Sequence, residues 1–447
     1  MVEIRDGIQV FFTRKPPLVT TPQRDIKDPI VKNQVMEKLQ KVIRHGYLVE
    51  GLVLSVTSFF PVPKGDTDIR MVYDATCNGL NDSIWVPSFR LPTLNNHLRA
   101  VDSGTFMSDV DVGEIFLNFI LHDSLQQYCG VDVKLYCNTV QNGMVRWARS
   151  AMGMTSSPYH CVRGLAIASE IIKGNRKSEN NVFRWDRVRL NLPGQNNYDP
   201  TIAWVSLVRK DGTLAAELFK FVDDLRPTGP GKKDAWDAAR RTASILNWLG
   251  LQDAPRKRRG SSQTPGAWAG GLIKIIEKRE AVHVSEDKWK KNIRLLNEAA
   301  LMVKRSPESV NRLRLEEIRG FMVYVMQTYP ALQPYLMGFH LSIDSWRPGR
   351  RDDGWRESSQ VIQKLKDDGD WTYHGPEDRG PKLVTPAPRL ARDIEALQSM
   401  CQSTAPPIRY PRPSKQCKVF YGFGDASGSA FGSSILMMGD LVYEYGQ

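Results

Sequence analysis

No two cysteines stand at C-x-x-C spacing, and no two histidines lie four residues apart. Cys77, Cys129, Cys137, Cys161, Cys401 and Cys417 are scattered among seven histidines over 447 residues, which argues against a zinc site or a disulfide framework. Long apolar runs are missing too: no stretch approaches the roughly 18 uncharged apolar residues of a membrane span. The opening MVEIRDGIQVFFTRKPP lacks the apolar core and small-residue cleavage site of a signal peptide. A soluble, intracellular chain is expected, cytoplasmic or nuclear, with no membrane partner. No repeat of fixed period is present either.

What is there is a globular composition, 41% hydrophobic and 25% charged with a mean hydropathy of -0.38. The length exceeds one small domain and suggests two to four units. Lys and Arg number 61 against 49 Asp and Glu, a net charge of +12, which points to a polyanionic partner. Residues 346–400 carry ten basic and ten acidic side chains and residues 401–447 four and three, so +11 of the excess falls on residues 1–345. A nucleic-acid groove is expected there.

After an N-terminal extension, 1–45, short strand and helix patterns alternate from about 46 to 275, as in an α+β domain. One helix is expected to start at Ser157-Pro158, a serine cap with proline at the first helical position, and another to run from about Asp234 to Leu249 and stop at Gly250. Residues 285–330 read as purely helical, with Trp289, Ile293, Leu296, Ala300 and Val303 on one stripe and a second helix beginning at Ser306-Pro307-Glu308. Eight prolines between Pro376 and Pro413 mark 346–415 as a linker, or a connector lying over another domain. Residues 416–447 read as a strand, a tight turn and a returning strand.

Two segments pair carboxylates. Phe219-Lys-Phe-Val-Asp-Asp-Leu runs an apolar strand into Asp223 and Asp224. Adjacent carboxylates at a hairpin tip repel unless cations sit between them, so a buried pair points to divalent metal; a solvated Asp-Asp turn is the plainer reading. Ser108-Asp-Val-Asp-Val-Gly-Glu-Ile-Phe puts Asp109 and Asp111 on one strand face, with Gly113 allowing an exit into a helix, although an ordinary strand end looks the same. If Asp111 meets Asp223 and Asp224 in space, three carboxylates can hold two Mg²⁺ ions, or Mn²⁺, about 3.5–4 Å apart for nucleotidyl transfer.

Two further segments would serve such a site. Pro61-Val-Pro-Lys-Gly-Asp-Thr-Asp-Ile-Arg reads as a hairpin presenting Lys64 and Arg70, which could clamp a triphosphate or be ordinary solvated charges; a strand carrying Asp74 follows. Ser150-Ala-Met-Gly-Met-Thr-Ser-Ser-Pro is a small-residue loop that lets a sugar or base pair approach the backbone, or simply leads into a helix.

In this order the four segments resemble the polymerase motifs of reverse transcriptases, most closely those of DIRS-like and long-terminal-repeat retrotransposons, over about residues 50–340. Phe221-Val222-Asp223-Asp224 matches the aromatic-x-Asp-Asp motif, and Asp111 stands where the first catalytic aspartate does. The resemblance implies a right-hand polymerase: fingers and palm over 46–275, a helical thumb or connection over 276–345. It implies Asp111, Asp223 and Asp224 as catalytic metal ligands, and Lys64, Arg70, Phe116, Met152 and Gly153 at the nucleotide, with Phe116 as steric gate. Asp74 and Asn81 fall in the fingers segment. Lys257 becomes a candidate general acid beside Arg256, Arg258 and Arg259, and Trp268, Gly270 and Gly271 a candidate primer grip. Met152 replaces the glutamine of many relatives, and residues about 173–205 read as an insertion.

Phe423-Gly-Asp-Ala-Ser resembles the first strand of an RNase H-like domain, with Asp425 as its first carboxylate; one carboxylate cannot hold two metals, so no RNase H activity is expected. The implied partners are a primed RNA or DNA template and dNTPs. An RNA-dependent RNA polymerase, or a non-catalytic element-derived nucleic-acid-binding protein, are the rival readings; Phe116 and the Asp425 segment weigh against the first, the three carboxylates against the second.

Overall fold

The computed structural model describes residues 5–65, 68–89, 91–255, 258–346, 381–415, 420–426, 431–437 and 440–446. The chain mixes helices and sheets, and its buried apolar side chains fall into separate cores.

Helix α1 (Pro29–Arg44) starts where Asp28 accepts hydrogen bonds from the amides of Ile30 and Val31, with Pro29 at the first position. Its Val35 and Leu39, one turn apart, are fully buried. Strands β1 (Phe59–Lys64) and β2 (Asp68–Tyr73) form the expected hairpin, Lys64 opposite Asp68. At its base Tyr73 meets Trp147 edge-on, centroids 4.6 Å apart. The segment expected as an N-terminal extension is built into this core. Ile8, Val35 and Leu39 lie within it, and Phe11–Phe12 pairs with Ile84–Trp85.

The next unit carries α2 (Leu94–Ala100), β3 (Phe106–Asp111), α3 (Ser157–Lys173), β4 (Arg187–Leu190), β5 (Val205–Val208), β6 (Leu218–Phe221), β7 (Asp224–Gly229), α4 (Lys232–Trp248) and β8 (Arg259–Ser262). Four of these strands make an antiparallel sheet in the order β6-β7-β3-β8. Val110, Leu218 and Leu225 bury one face against Leu165 and Ala168 of α3 and Ala238, Ala239 and Leu246 of α4. Helix α3 starts at the expected Ser157-Pro158, but Ser157 is its first helical residue rather than its cap, and Ser156 at the cap position makes no side-chain capping bond; α4 runs within two residues of its expected bounds. The expected insertion folds as the β4–β5 hairpin and is tied down by Arg189, whose Nη2 donates to Asp102 at 2.5 Å.

Strands β9 (Ala267–Trp268), β10 (Gly271–Ile276) and β11 (Arg279–His283) form a meander that leads into α5 (Glu286–Arg305), α6 (Arg312–Met326), α7 (Met337–Ile343) and α8 (Leu390–Met400). The second helix of this layer does not begin at Ser306-Pro307-Glu308. Val310–Asn311 is extended and pairs with Leu383–Val384, and Asn311 then caps α6 by accepting from the Arg314 amide at 3.0 Å. Residues 381–415 are likewise no linker. Leu390, Ile394, Leu397 and Cys401 of α8 complete the helical core, a helical spacing masked in the sequence by flanking prolines. The chain then returns as a strap: Arg409 pairs its backbone with Val282, and the Arg412 guanidinium donates to the carbonyls of Leu98 and Val101, both at 3.0 Å. The rest of the expected connector, 347–380, lies outside the described residues.

The C-terminal hairpin gains a strand. β12 (Phe420–Ala426), β13 (Phe431–Met437) and β14 (Asp440–Gly446) form an antiparallel three-stranded sheet. Leu441-Val-Tyr-Glu-Tyr supplies the β-branched and aromatic residues of the extra strand. Asp425 is described only as a backbone position, opposite Gly432. Among the described residues no helix is long and apolar enough to cross a membrane.

Candidate active site

Alternation along the sheet leaves Met107, Asp109 and Asp111 of β3 on the face away from α3 and α4. Asp224 stands directly opposite Asp111, and Leu225 opposite Val110. The β6–β7 connection is only Val222-Asp223, and Val222 takes φ 53°, a left-handed conformation that is strained for a β-branched residue. This tight turn sets Asp223 beside the end of β3, where the Val112 amide donates to the Asp223 carbonyl at 3.0 Å. On the other side, the Ala254 amide donates to the Asp111 carbonyl at 3.0 Å and the Gly113 amide to Gln252 at 2.7 Å. Asn118 closes the loop, donating to the Gly113 carbonyl and accepting from the Gln252 amide. Asp111 is buried, Asp223 half-buried and Asp224 exposed.

The backbone thus brings Asp111, Asp223 and Asp224 together. Among the described residues no three His, Cys, Asp or Glu side chains are gathered closely enough to hold a metal ion by themselves. The donor set is all carboxylate, and Mg²⁺ ordinarily takes one or two carboxylates and completes its shell with water and substrate phosphates. Two facing carboxylates with a third at the adjoining turn fit that habit.

Beneath them lies an ion pair that the sequence reading did not single out. Arg226 donates from Nε to Asp109 Oδ1 at 2.7 Å and from Nη2 to Oδ2 at 3.1 Å, a bidentate fork on a fully buried guanidinium. The guanidinium also lies over the Trp268 ring, 5.3 Å from its centroid. Burial lowers the Arg226 pKa from its ordinary value, and the Asp109 carboxylate opposes that shift. The signal was in the spacing: Asp109-x-Asp111 and Asp224-x-Arg226 become a second cross-strand pair once Asp111 faces Asp224. His97 packs edge-on to Phe219 at 4.6 Å between centroids and against Trp268 at 5.0 Å. Its two buried ring nitrogens have no hydrogen-bond partner, and burial, then the Arg226 charge, hold its pKa well below the usual histidine value.

The two other expected segments are joined to each other. The Tyr73 amide donates to the Met152 carbonyl at 3.1 Å, and Asn81 Nδ2 to the Gly153 carbonyl at 2.8 Å. Asn81 Oδ1 accepts from the Thr155 amide at 2.8 Å. Gly153 has φ +112°, and a Cβ there would sit 1.8 Å from the Tyr73 carbonyl oxygen, so this contact requires glycine. Lys64 pairs with Asp68 at 3.6 Å near the hairpin tip, and Arg70 is exposed on β2. Phe116 sits in a short 3-10 turn, Ile115–Asn118, with its ring half-buried against the sheet-and-helix core.

Trp268 is buried in the core around α2, so the side chain itself is not offered to a ligand. The Ala269–Gly270 turn beside it is held by Tyr324, whose hydroxyl donates to the Gly270 carbonyl at 3.2 Å, while Gly271 packs its backbone against Leu94. Lys257 lies outside the described residues. Its neighbour Arg258 is paired with Asp253, and Arg259 donates to the Pro265 carbonyl.

No protein-family model matches the sequence, and no curated protein matches it. Among solved structures, the chain is similar to a foamy viral protease-reverse transcriptase in complex with double-stranded DNA, at 14% identity and a TM-score of 0.48 over 98% of this chain. It is similar to a second such structure with double-stranded DNA at the same identity and TM-score, and to one with an RNA/DNA hybrid at 13% and 0.44. The chain spans 61%, 72% and 45% of those three chains respectively. Likeness at this level assigns no activity, and the functional reading stands on the site.

Proposed function

We propose that the chain is an RNA-directed DNA polymerase of the retrotransposon type, extending a primer 3′-hydroxyl on an RNA or DNA template by attack on the α-phosphorus of a dNTP, with pyrophosphate leaving. One observation carries the reading: Asp111 and Asp224 are cross-strand neighbours, with Asp223 at the turn between β6 and β7. Like charges directly opposite on a sheet destabilise it, so a pair kept at the open end of a sheet calls for a cation.

In this reading the β1–β2 unit serves as fingers, the four-stranded sheet as palm and the helical layer as thumb. Asp111, Asp223 and Asp224 would hold Mg²⁺ or Mn²⁺ together with the substrate phosphates; the ions supply Lewis-acid neutralisation of charge at the transferring phosphorus. Lys64 and Arg70 would meet the triphosphate, and the Met152-Gly153 backbone, braced by Asn81, would border the incoming nucleotide. Asp109 and Arg226 keep β3 and β7 in register beneath the carboxylates.

The test is primer extension on an RNA template with Mg²⁺, comparing dNTPs with rNTPs. Extension by dNTPs is expected. Extension by rNTPs alone would move the assignment to an RNA polymerase, and extension by neither would leave a non-catalytic binding protein.

A further inference from the structure

Away from the carboxylates, a cavity of about 260 Å³ opens between α2, the segment around Trp204 and the 409–412 strap. Arg99, Arg409, Arg412, Trp204 and Asn95 line it, and its described lining contains no Asp or Glu. We infer that this cavity is a phosphate-oxyanion site.

The arginines are arranged in depth. Arg412 is buried and spent on the fold, donating to the carbonyls of Leu98, Val101 and Pro200 and to Ser103 Oγ. Arg409 Nη1 is fixed by Asn95 Oδ1 at 3.1 Å and the Thr328 carbonyl at 2.9 Å. Arg99 is exposed, with its guanidinium over the Trp204 ring, 5.4 Å from the centroid. Among the described residues neither Arg99 nor Arg409 is paired with a carboxylate. Burial first, and then the Arg99 charge, weaken the hold of Arg409 on its proton. A guanidinium does not escape by deprotonating, so this repulsion is relieved by an anion.

Glu280 lies 3.2 Å from Arg412, and burial pushes its carboxyl up to about 8 against the pull of that arginine; the charge left to the cavity is that of Arg99 and Arg409. The volume falls below the roughly 300–1,000 Å³ of sites that enclose whole small molecules, which suits a phosphate group or pyrophosphate. The oxyanion is either the phosphodiester of a nucleic-acid strand or a free phosphate, and the site does not depend on the polymerase reading.

The experiment uses the full chain in EDTA, which keeps divalent ions, and with them the carboxylate site, out of the measurement. Inorganic pyrophosphate is titrated by calorimetry and a fluorescein-labelled single-stranded DNA by anisotropy, for the wild type, Arg99→Gln, Arg99→Lys and Lys177→Gln. Lys177, exposed on the insertion, controls for loss of one charge. Arg99→Gln should weaken binding about tenfold or more, Arg99→Lys less, and Lys177→Gln hardly at all. Loss for pyrophosphate alone assigns the site to a free oxyanion, and loss that includes the DNA assigns it to a strand. If neither probe distinguishes Arg99→Gln from Lys177→Gln, the inference is overturned.

Discussion

Asp224 lies directly across the sheet from Asp111, and the pair is undershot by the bidentate contact of Arg226 with Asp109. Two carboxylates thus face each other above a buried guanidinium whose charge acts on both Asp109 and Asp224. The facing pair sets the first prediction.

Asp223→Asn and Asp111→Asn should each abolish primer extension while changing affinity for a primed template less than about threefold, since that affinity comes mostly from phosphate contacts elsewhere. Extension assays and anisotropy on the same preparations check both halves. Retained extension by Asp223→Asn would sink the catalytic assignment.

The Asp109–Arg226 pair is fully enclosed on the arginine side. Asp109→Ala leaves a buried guanidinium without its carboxylate and should cost about 3–5 kcal/mol in urea unfolding, whereas Asp109→Leu with Arg226→Met should cost much less. Additive losses in the double variant would show that the two do not act as a pair.

Asn81 joins the end of the hairpin segment to the Met152-Gly153 loop through two hydrogen bonds. Asn81→Ala should lower stability by about 1–3 kcal/mol and raise the KM for dNTP more than it lowers kcat, because it loosens a border of the nucleotide site. Steady-state kinetics at saturating template separates the two constants.

Phe116 is half-buried, which leaves it able to serve both core and substrate. As a steric gate, Phe116→Val should raise rNTP use relative to dNTP by on the order of tenfold or more; as core alone, it should lower both in proportion to lost stability. The ratio of kcat/KM values for the two substrates decides.

His97 is held neutral by burial, so its folded pKa lies below the 6.5 of the unfolded chain. Below about pH 6.5 the unfolded state binds a proton that the folded state refuses, and stability should therefore fall as pH drops. His97→Phe keeps a ring against Phe219 and Trp268 and should flatten that slope. Urea midpoints between pH 7 and pH 5 for both proteins measure it.

The amino-acid sequence by itself determined the local pieces. The Ser157-Pro158 start of α3, the stop of α4 before Gly250, the β1–β2 hairpin and the apolar strand leading into the Asp223-Asp224 turn follow from prolines, glycines and alternation, which act within a few residues. It did not determine that residues 5–45 belong to the first core, or that 381–415 supply a helix and a strap. Those depend on which apolar stripe meets which, and prolines around α8 hid its spacing. Only the tertiary structure decided the register. A shift of one residue between β3 and β7 would have turned Asp224 to the helix side and broken the Arg226 contact, because side chains alternate with period two. The Arg99–Arg409 cavity is more dependent still, since residues 310 positions apart meet there only because the strap returns across α2.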